Sequence, residues 1–148
     1  MSGPGHVVRA AVERLNANDL AGYYALMADG IVMVTESRTL TGKPAVTAEL
    51  DETFQAVSNH WTTTVDRLVV SGNHVATWLT LGGETVESGV PWKVEGCTVW
   101  EVREGYIISV REYYDWSPLL QALDMLSDAY LPVRMRVVCE IRFVDGGG

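Results

Sequence analysis

From His60 to Tyr114 almost every residue belongs to an alternating or β-branched run, and only short turn signals interrupt it. Such a stretch predicts consecutive antiparallel strands joined by tight turns. The turn signals are Gly72-Asn73, Gly82-Gly83 and Glu104-Gly105. Successive side chains of a strand point to opposite faces. The piece from Val75 to Leu81 is therefore expected to put Ala76, Trp78 and Thr80 on one inward face. The piece from Ile108 to Tyr114 is expected to put Ile108, Val110, Glu112 and Tyr114 together.

The residues before this run are helical in pattern. Val8, Ala11, Val12 and Leu15 recur at the spacing of an amphipathic helix. Asn18 is placed to cap a second helix carrying Leu20, Tyr23, Tyr24 and Met27, which Gly30 would end. Ile31 to Thr35 reads as a short strand, and Glu36 to Thr41 as turns. Pro44 opens a third helix with Val46, Leu50, Phe54 and Val57 on its apolar stripe. Ser117-Pro118 starts a fourth, with Leu119, Leu120, Leu123 and Leu126, which Pro132 ends. Arg136 to Phe143 alternates and reads as a last strand.

Helices first and a meander of strands after them define an α+β fold. A strongly curved antiparallel sheet wrapped around N-terminal helices would form a cone, and a cone not filled by side chains is a ligand pocket. The 148 residues suit one domain, with a core over about residues 6–125 and an added helix and strand over residues 117–144.

Composition narrows the function classes. The net charge is −8, from 11 basic and 19 acidic residues, and the basic ones form no patch. That balance argues against nucleic acid and against anionic membranes as partners. No apolar run approaches the length of a membrane helix, and the N-terminus lacks a signal-peptide pattern. Cys97 and Cys139 are expected as buried free thiols on separate strands, in keeping with a cytoplasmic protein. His6, His60 and His74 share no metal-ligand spacing, so neither metal nor organic cofactor is implied.

Three stretches carry a resemblance to a known superfamily. They are Leu15-Asn16-Ala17-Asn18-Asp19-Leu20 running on to Met27-Ala28-Asp29-Gly30, then Thr41-Gly42-Lys43-Pro44-Ala45-Val46, and then Thr98 to Ile108 with Arg111-Glu112-Tyr113-Tyr114-Asp115. Their order resembles the nuclear transport factor 2-like superfamily, which includes SnoaL-like polyketide cyclases, ketosteroid isomerases and limonene-1,2-epoxide hydrolases. The third stretch looks most like the epoxide hydrolases. That resemblance implies a cone-shaped roll, an acid–base site and a homodimer paired through the outer sheet face. Glu112 stands where one catalytic aspartate of the hydrolases would be. Their arginine and second aspartate would fall near Trp78 and Thr80, and their tyrosine and asparagine near Met33 and Thr35. The isomerase acids would fall near Thr35 and Cys97.

Glu112 is the leading catalytic candidate. A carboxyl on an apolar strand face loses hydration, its pKa rises, and it becomes a usable acid or base near neutral pH. The plainer possibility is a structural ion pair. Trp78, Thr80, Met33, Thr35, Val94, Val110 and Tyr114 are the candidate substrate-binding residues. Trp78 would be a wall or plain core packing, and Thr80 a hydrogen-bonding partner of a ligand or of Glu112. Asp115 reads as a cap or a surface partner of Arg111, and Glu95 as a weaker candidate. Trp61, Trp92 and Trp100 offer aromatic surface for a dimer. The expected function is a cofactor-independent enzyme acting on a hydrophobic small molecule, by hydrolysis, isomerisation or cyclisation. The alternative is an apolar-ligand-binding or interaction module of the same fold.

Overall fold

The computed structural model describes residues 3–124. Leu126, the stop at Pro132, the strand expected from Arg136 to Phe143, and Cys139 lie outside them. The element order is α1 (Pro4–Asn16), α2 (Leu20–Ala25), β1 (Met27–Val34), β2 (Thr39–Thr41), α3 (Lys43–Val57), β3 (Ser58–Ser71), β4 (His74–Thr85), β5 (Pro91–Arg103), β6 (Tyr106–Tyr114) and α4 (Ser117–Ala122). It is the α+β arrangement expected from the sequence.

Among the described residues six strands form one sheet, in the order β2-β1-β6-β5-β4-β3. The meander from β3 to β6 is antiparallel throughout. The sheet as a whole is mixed, because β1 runs parallel to β6. The chain between those two strands is long enough for the crossover that a parallel pair requires.

Several local expectations change. Asp19, not Asn18, caps α2, with Oδ1 accepting from Gly22 N at 2.9 Å. Asn18 takes φ 56 in the turn before it. Met27 starts β1 instead of ending α2, and Gly30 lies inside that strand. Gly82-Gly83 is no turn either. A Cβ on Gly83 would sit 2.1 Å from His60 O and 2.2 Å from Ser58 Oγ, so glycine there permits close strand approach. The turn falls after Thr85, whose N–H reaches Val90 O at 3.0 Å.

The helices cover one sheet face. Val7, Val8 and Ala11 of α1 pack with Tyr23, Ile31, Val75, Trp100, Val102, Ile107 and Val110 in a first core. Leu79, Trp92, Val94, Tyr114 and Leu119 form a second. A bulge between Glu101 and Val102 shifts β6, so Ile107 is fully buried where Ile108 was expected on the inner face. Asn16, at the end of α1, bonds β3 through its side chain. Its Nδ2 donates to Thr63 O at 2.8 Å, and its Oδ1 accepts from Thr63 N at 2.7 Å.

Candidate acid–base cavity

Between the two cores lies a cavity of about 250 Å³. Its apolar walls include Leu15, Met33, Leu40, Leu50, Phe54, Trp61, Leu79, Leu81 and Trp100. Aromatic contacts stiffen one side. Trp61 stands edge-on to Phe54 at 4.9 Å and to Trp92 at 5.0 Å. At the rim, Arg38 of the β1–β2 turn and Glu49 of α3 form an ion pair.

Glu112 reaches this cavity from the middle of β6. It faces inward because it alternates with Val110 and Tyr114, which are buried. Its cross-strand partner is Thr98. Among the described residues its carboxyl has no hydrogen bond and no ion pair. Burial among protein atoms pushes its pKa up from 4.5 to about 7, and the nearby Glu36 carboxylate adds to the rise. Glu36 is held there by accepting from Tyr114 N at 3.1 Å. A carboxyl with such a pKa exchanges protons readily at neutral pH.

The polar groups behind Glu112 are mutually satisfied. Tyr114 Oη and Thr98 Oγ1 are 2.6 Å apart. Thr77 Oγ1 donates to Thr98 O at 3.1 Å and accepts from Trp100 Nε1 at 2.9 Å. Burial holds the Tyr114 phenol well above its usual pKa, so it stays neutral.

Of the residues singled out in the sequence, Glu112, Tyr114, Met33 and Thr35 line the cavity. Thr35 Oγ1 is engaged with Ser37 and Arg38 in the β1–β2 turn. Val94 and Val110 are buried in the two cores and do not line the cavity. Trp78 and Thr80 are on the other side of the sheet. The inner face of β4 carries Val75, Thr77, Leu79 and Leu81, whereas Trp78 is 45% exposed. Thr80 lines a shallow outer groove and bonds Asp66 Oδ2 at 2.6 Å. Both alternations in β4 are apolar enough to be core, and the larger side chain pointed to the wrong one.

The outer face also differs from expectation. Trp100 is buried, Trp61 lines the cavity, and Trp92 is buried apart from its edge on the outer groove, so none of them presents a broad outer surface. Trp78 and Tyr113 do, flanking Cys97 in register, and that thiol is half-buried. Asp115 is not the cap of α4, since Trp116 holds that position without a side-chain cap bond; Asp115 Oδ1 instead accepts from Ser117 N at 3.1 Å and from Ser117 Oγ at 2.7 Å. Tyr23, whose spacing in the sequence marks it only as a helix-packing residue, adds a phenol to the cavity wall. Among the described residues no helix is long and apolar enough to cross a membrane.

Residues 8–110 match the model of the SnoaL-like domain, and the chain belongs to that family. Its fold is shared by solved structures of low sequence identity. A hypothetical protein with a ketosteroid isomerase-like fold from Catenulispora acidiphila, crystallised with trimethylamine, is 22% identical with a TM-score of 0.72, covering 85% of this chain and 97% of its own. A Mycobacterium tuberculosis protein crystallised with estradiol-17beta-hemisuccinate is 25% identical with a TM-score of 0.68, covering 80% and 98%. A candidate SnoaL-like polyketide cyclase from Jannaschia is 15% identical with a TM-score of 0.72, covering 84% and 93%. No protein of curated function matches the sequence.

Proposed function

We propose that this protein is a cofactor-independent enzyme in which Glu112 moves a proton within an uncharged, hydrophobic carbonyl compound, as an isomerase or cyclase would. The observation that carries the reading is a carboxyl inside an apolar cavity, without ion pair or hydrogen bond among the described residues, with its pKa raised to about 7. A structural carboxylate would have a cation or donors beside it. As a carboxylate, Glu112 takes the proton from carbon next to the carbonyl; the C–H pair becomes the carbon–carbon double bond of an enolate, and the carbonyl π pair moves onto the oxygen. As the acid, it returns that proton to another atom of the same substrate; or the enolate carbon attacks a second carbonyl, closing a ring and pushing that carbonyl's π pair onto its oxygen, which then takes the proton from Glu112.

Epoxide opening of the hydrolase kind is supported less well. It needs an acid and a base together, and Glu49, the other carboxylate lining the cavity, is tied to Arg38. The positions where the resemblance would put the hydrolase arginine and second aspartate, Trp78 and Thr80, are outside the cavity. Relatives crystallised with trimethylamine and with a steroid ester favour a small-molecule ligand here too. The exposed Trp78 and Tyr113 support pairing of two chains through the outer sheet face.

The test is exchange of the protons next to the carbonyl of acetylnaphthalene into heavy water, followed by NMR. Wild type should exceed buffer, and Glu112→Gln should lose about 100-fold or more. A Glu112→Gln variant as active as wild type would refute the assignment.

A further inference from the structure

The cavity contains a second polar group with unspent hydrogen-bonding capacity. Tyr23 is 4% exposed and lines the cavity from α2. Its hydroxyl has no hydrogen-bond partner among the described residues. The phenol interacts electrostatically with Glu112 but makes no hydrogen bond to it. Of the other hydroxyls lining the cavity, Tyr114 is engaged with Thr98, and Thr35 with Ser37 and Arg38, whereas those of Thr53 and Thr63 make no hydrogen bond among the described residues.

We propose that Tyr23 is the subsite for a neutral oxygen acceptor, a ketone or enone carbonyl, which it holds by a hydrogen bond beside Glu112. This deepens the acid–base reading above and rests on it for the identity of the neighbouring base.

The chemistry follows from what a buried phenol can do. Among the described residues Trp92 Nε1 is the only fully buried side-chain polar atom without a partner, so the Tyr23 hydroxyl opens into the cavity, where water or a ligand can meet it. Tyrosine offers one donor and can accept in turn. Burial first, then Glu112 and its tyrosine neighbours, hold this phenol far above its usual pKa. It therefore meets the ligand as a neutral donor, which suits a neutral oxygen and repels nothing. A carboxylate ligand would instead face the Glu112 charge in the same confined space. A hydrocarbon would leave the hydroxyl unpaired. During proton abstraction the negative charge grows on the carbonyl oxygen, and a donor fixed there strengthens as it does so.

Two probes of nearly one shape separate the hydrogen bond from the apolar fit: acetylnaphthalene and isopropylnaphthalene. Fluorescence titration should show wild type preferring the ketone by about tenfold. Tyr23→Phe should bring the two affinities together by weakening only the ketone. Tyr114→Phe should keep the preference, since that hydroxyl is engaged with Thr98. A ketone preference that survives Tyr23→Phe, or one absent from wild type, overturns the proposal. So does failure of wild type to bind either probe. If the Phe variant is poorly folded, NMR of wild type with carbon-labelled tyrosine reads the same contact. The Tyr23 signal should shift with the ketone and not with the hydrocarbon, and equal shifts would refute the subsite. Proton exchange distinguishes this proposal from the catalytic one. If wild type shows the Tyr23-dependent preference but no exchange, the acid–base reading fails and the subsite stands. Exchange lost in Glu112→Gln, with the preference indifferent to Tyr23, has the opposite meaning.

Discussion

The ring of Tyr114 lies directly over Gly96. A Cβ on Gly96 would be 2.2 Å from Tyr114 Cδ1 and 2.5 Å from Tyr113 O. The two residues are cross-strand partners. The bare backbone of one lets the ring of the other lie against β5 and reach Thr98. Gly96→Ala must move backbone as well as ring. We expect a loss of about 1–3 kcal/mol in stability and a weaker cavity ligand, read by urea unfolding and dye titration. An unchanged midpoint would mean that the strands separate easily here.

The raised pKa of Glu112 fixes the sign of a pH effect. The folded carboxyl holds its proton more tightly than the unfolded one, so ionisation opposes the fold. Stability is greatest below pH 4.5, falls between pH 4.5 and about pH 7, and is level above that as far as this group is concerned. The full drop is on the order of 3 kcal/mol for a shift of this size. Glu112→Gln removes the drop. Thermal melts from about pH 4 to pH 8 should show the variant equal to or above wild type at neutral pH. If the variant melts lower there, Glu112 is a stabilising ion and the catalytic assignment falls.

The same group sets the activity profile. Acting first as a base, Glu112 should give a rate that rises with pH, is half-maximal near pH 7 and levels off above it. Glu36→Gln removes the second carboxylate and should move that limb to lower pH. A profile that does not respond to Glu36→Gln would show that burial alone sets the value.

Thr77 lies at the centre of the buried polar pairs. It accepts from Trp100 Nε1, so Thr77→Val leaves an indole N–H buried with no acceptor. A cost of about 1–3 kcal/mol is expected in denaturant unfolding. Thr77→Ser keeps the acceptor and should recover most of it.

Trp78→Glu tests the outer face. If two chains pair there, a buried charge at that position should shift light-scattering mass from dimer to monomer and leave ligand binding in the cavity intact. A wild-type protein that is monomeric at micromolar concentration would end this proposal.

Much of this architecture was legible in the sequence where one feature dominated. The strand run from His60 to Tyr114 is strongly patterned, and Glu112 is conspicuous as a carboxyl between Val110 and Tyr114. The face of β4 was not legible, because Val75, Thr77, Leu79 and Leu81 compete with Ala76, Trp78 and Thr80, and nothing local decides between them. The bulge that turns Ile107 inward leaves no mark in the alternation. The parallel pairing of β1 with β6 joins segments far apart in the chain. Tyr23 looked like any apolar helix residue. Only the position of α2 relative to β6 shows that its hydroxyl opens into a shared space.

The side chain of Asn16 has one more consequence. Among the described residues β3 is the last strand on its side of the sheet, so its outer backbone groups are a template on which another chain could extend the sheet. At Thr63 the amide of Asn16 occupies both the donor and the acceptor, as a neighbouring strand would. One residue at the end of a helix thus imitates a seventh strand for the length of a single residue. Asn16→Ala would reopen that edge in the middle, and its first symptom should be self-association on storage and not loss of the fold.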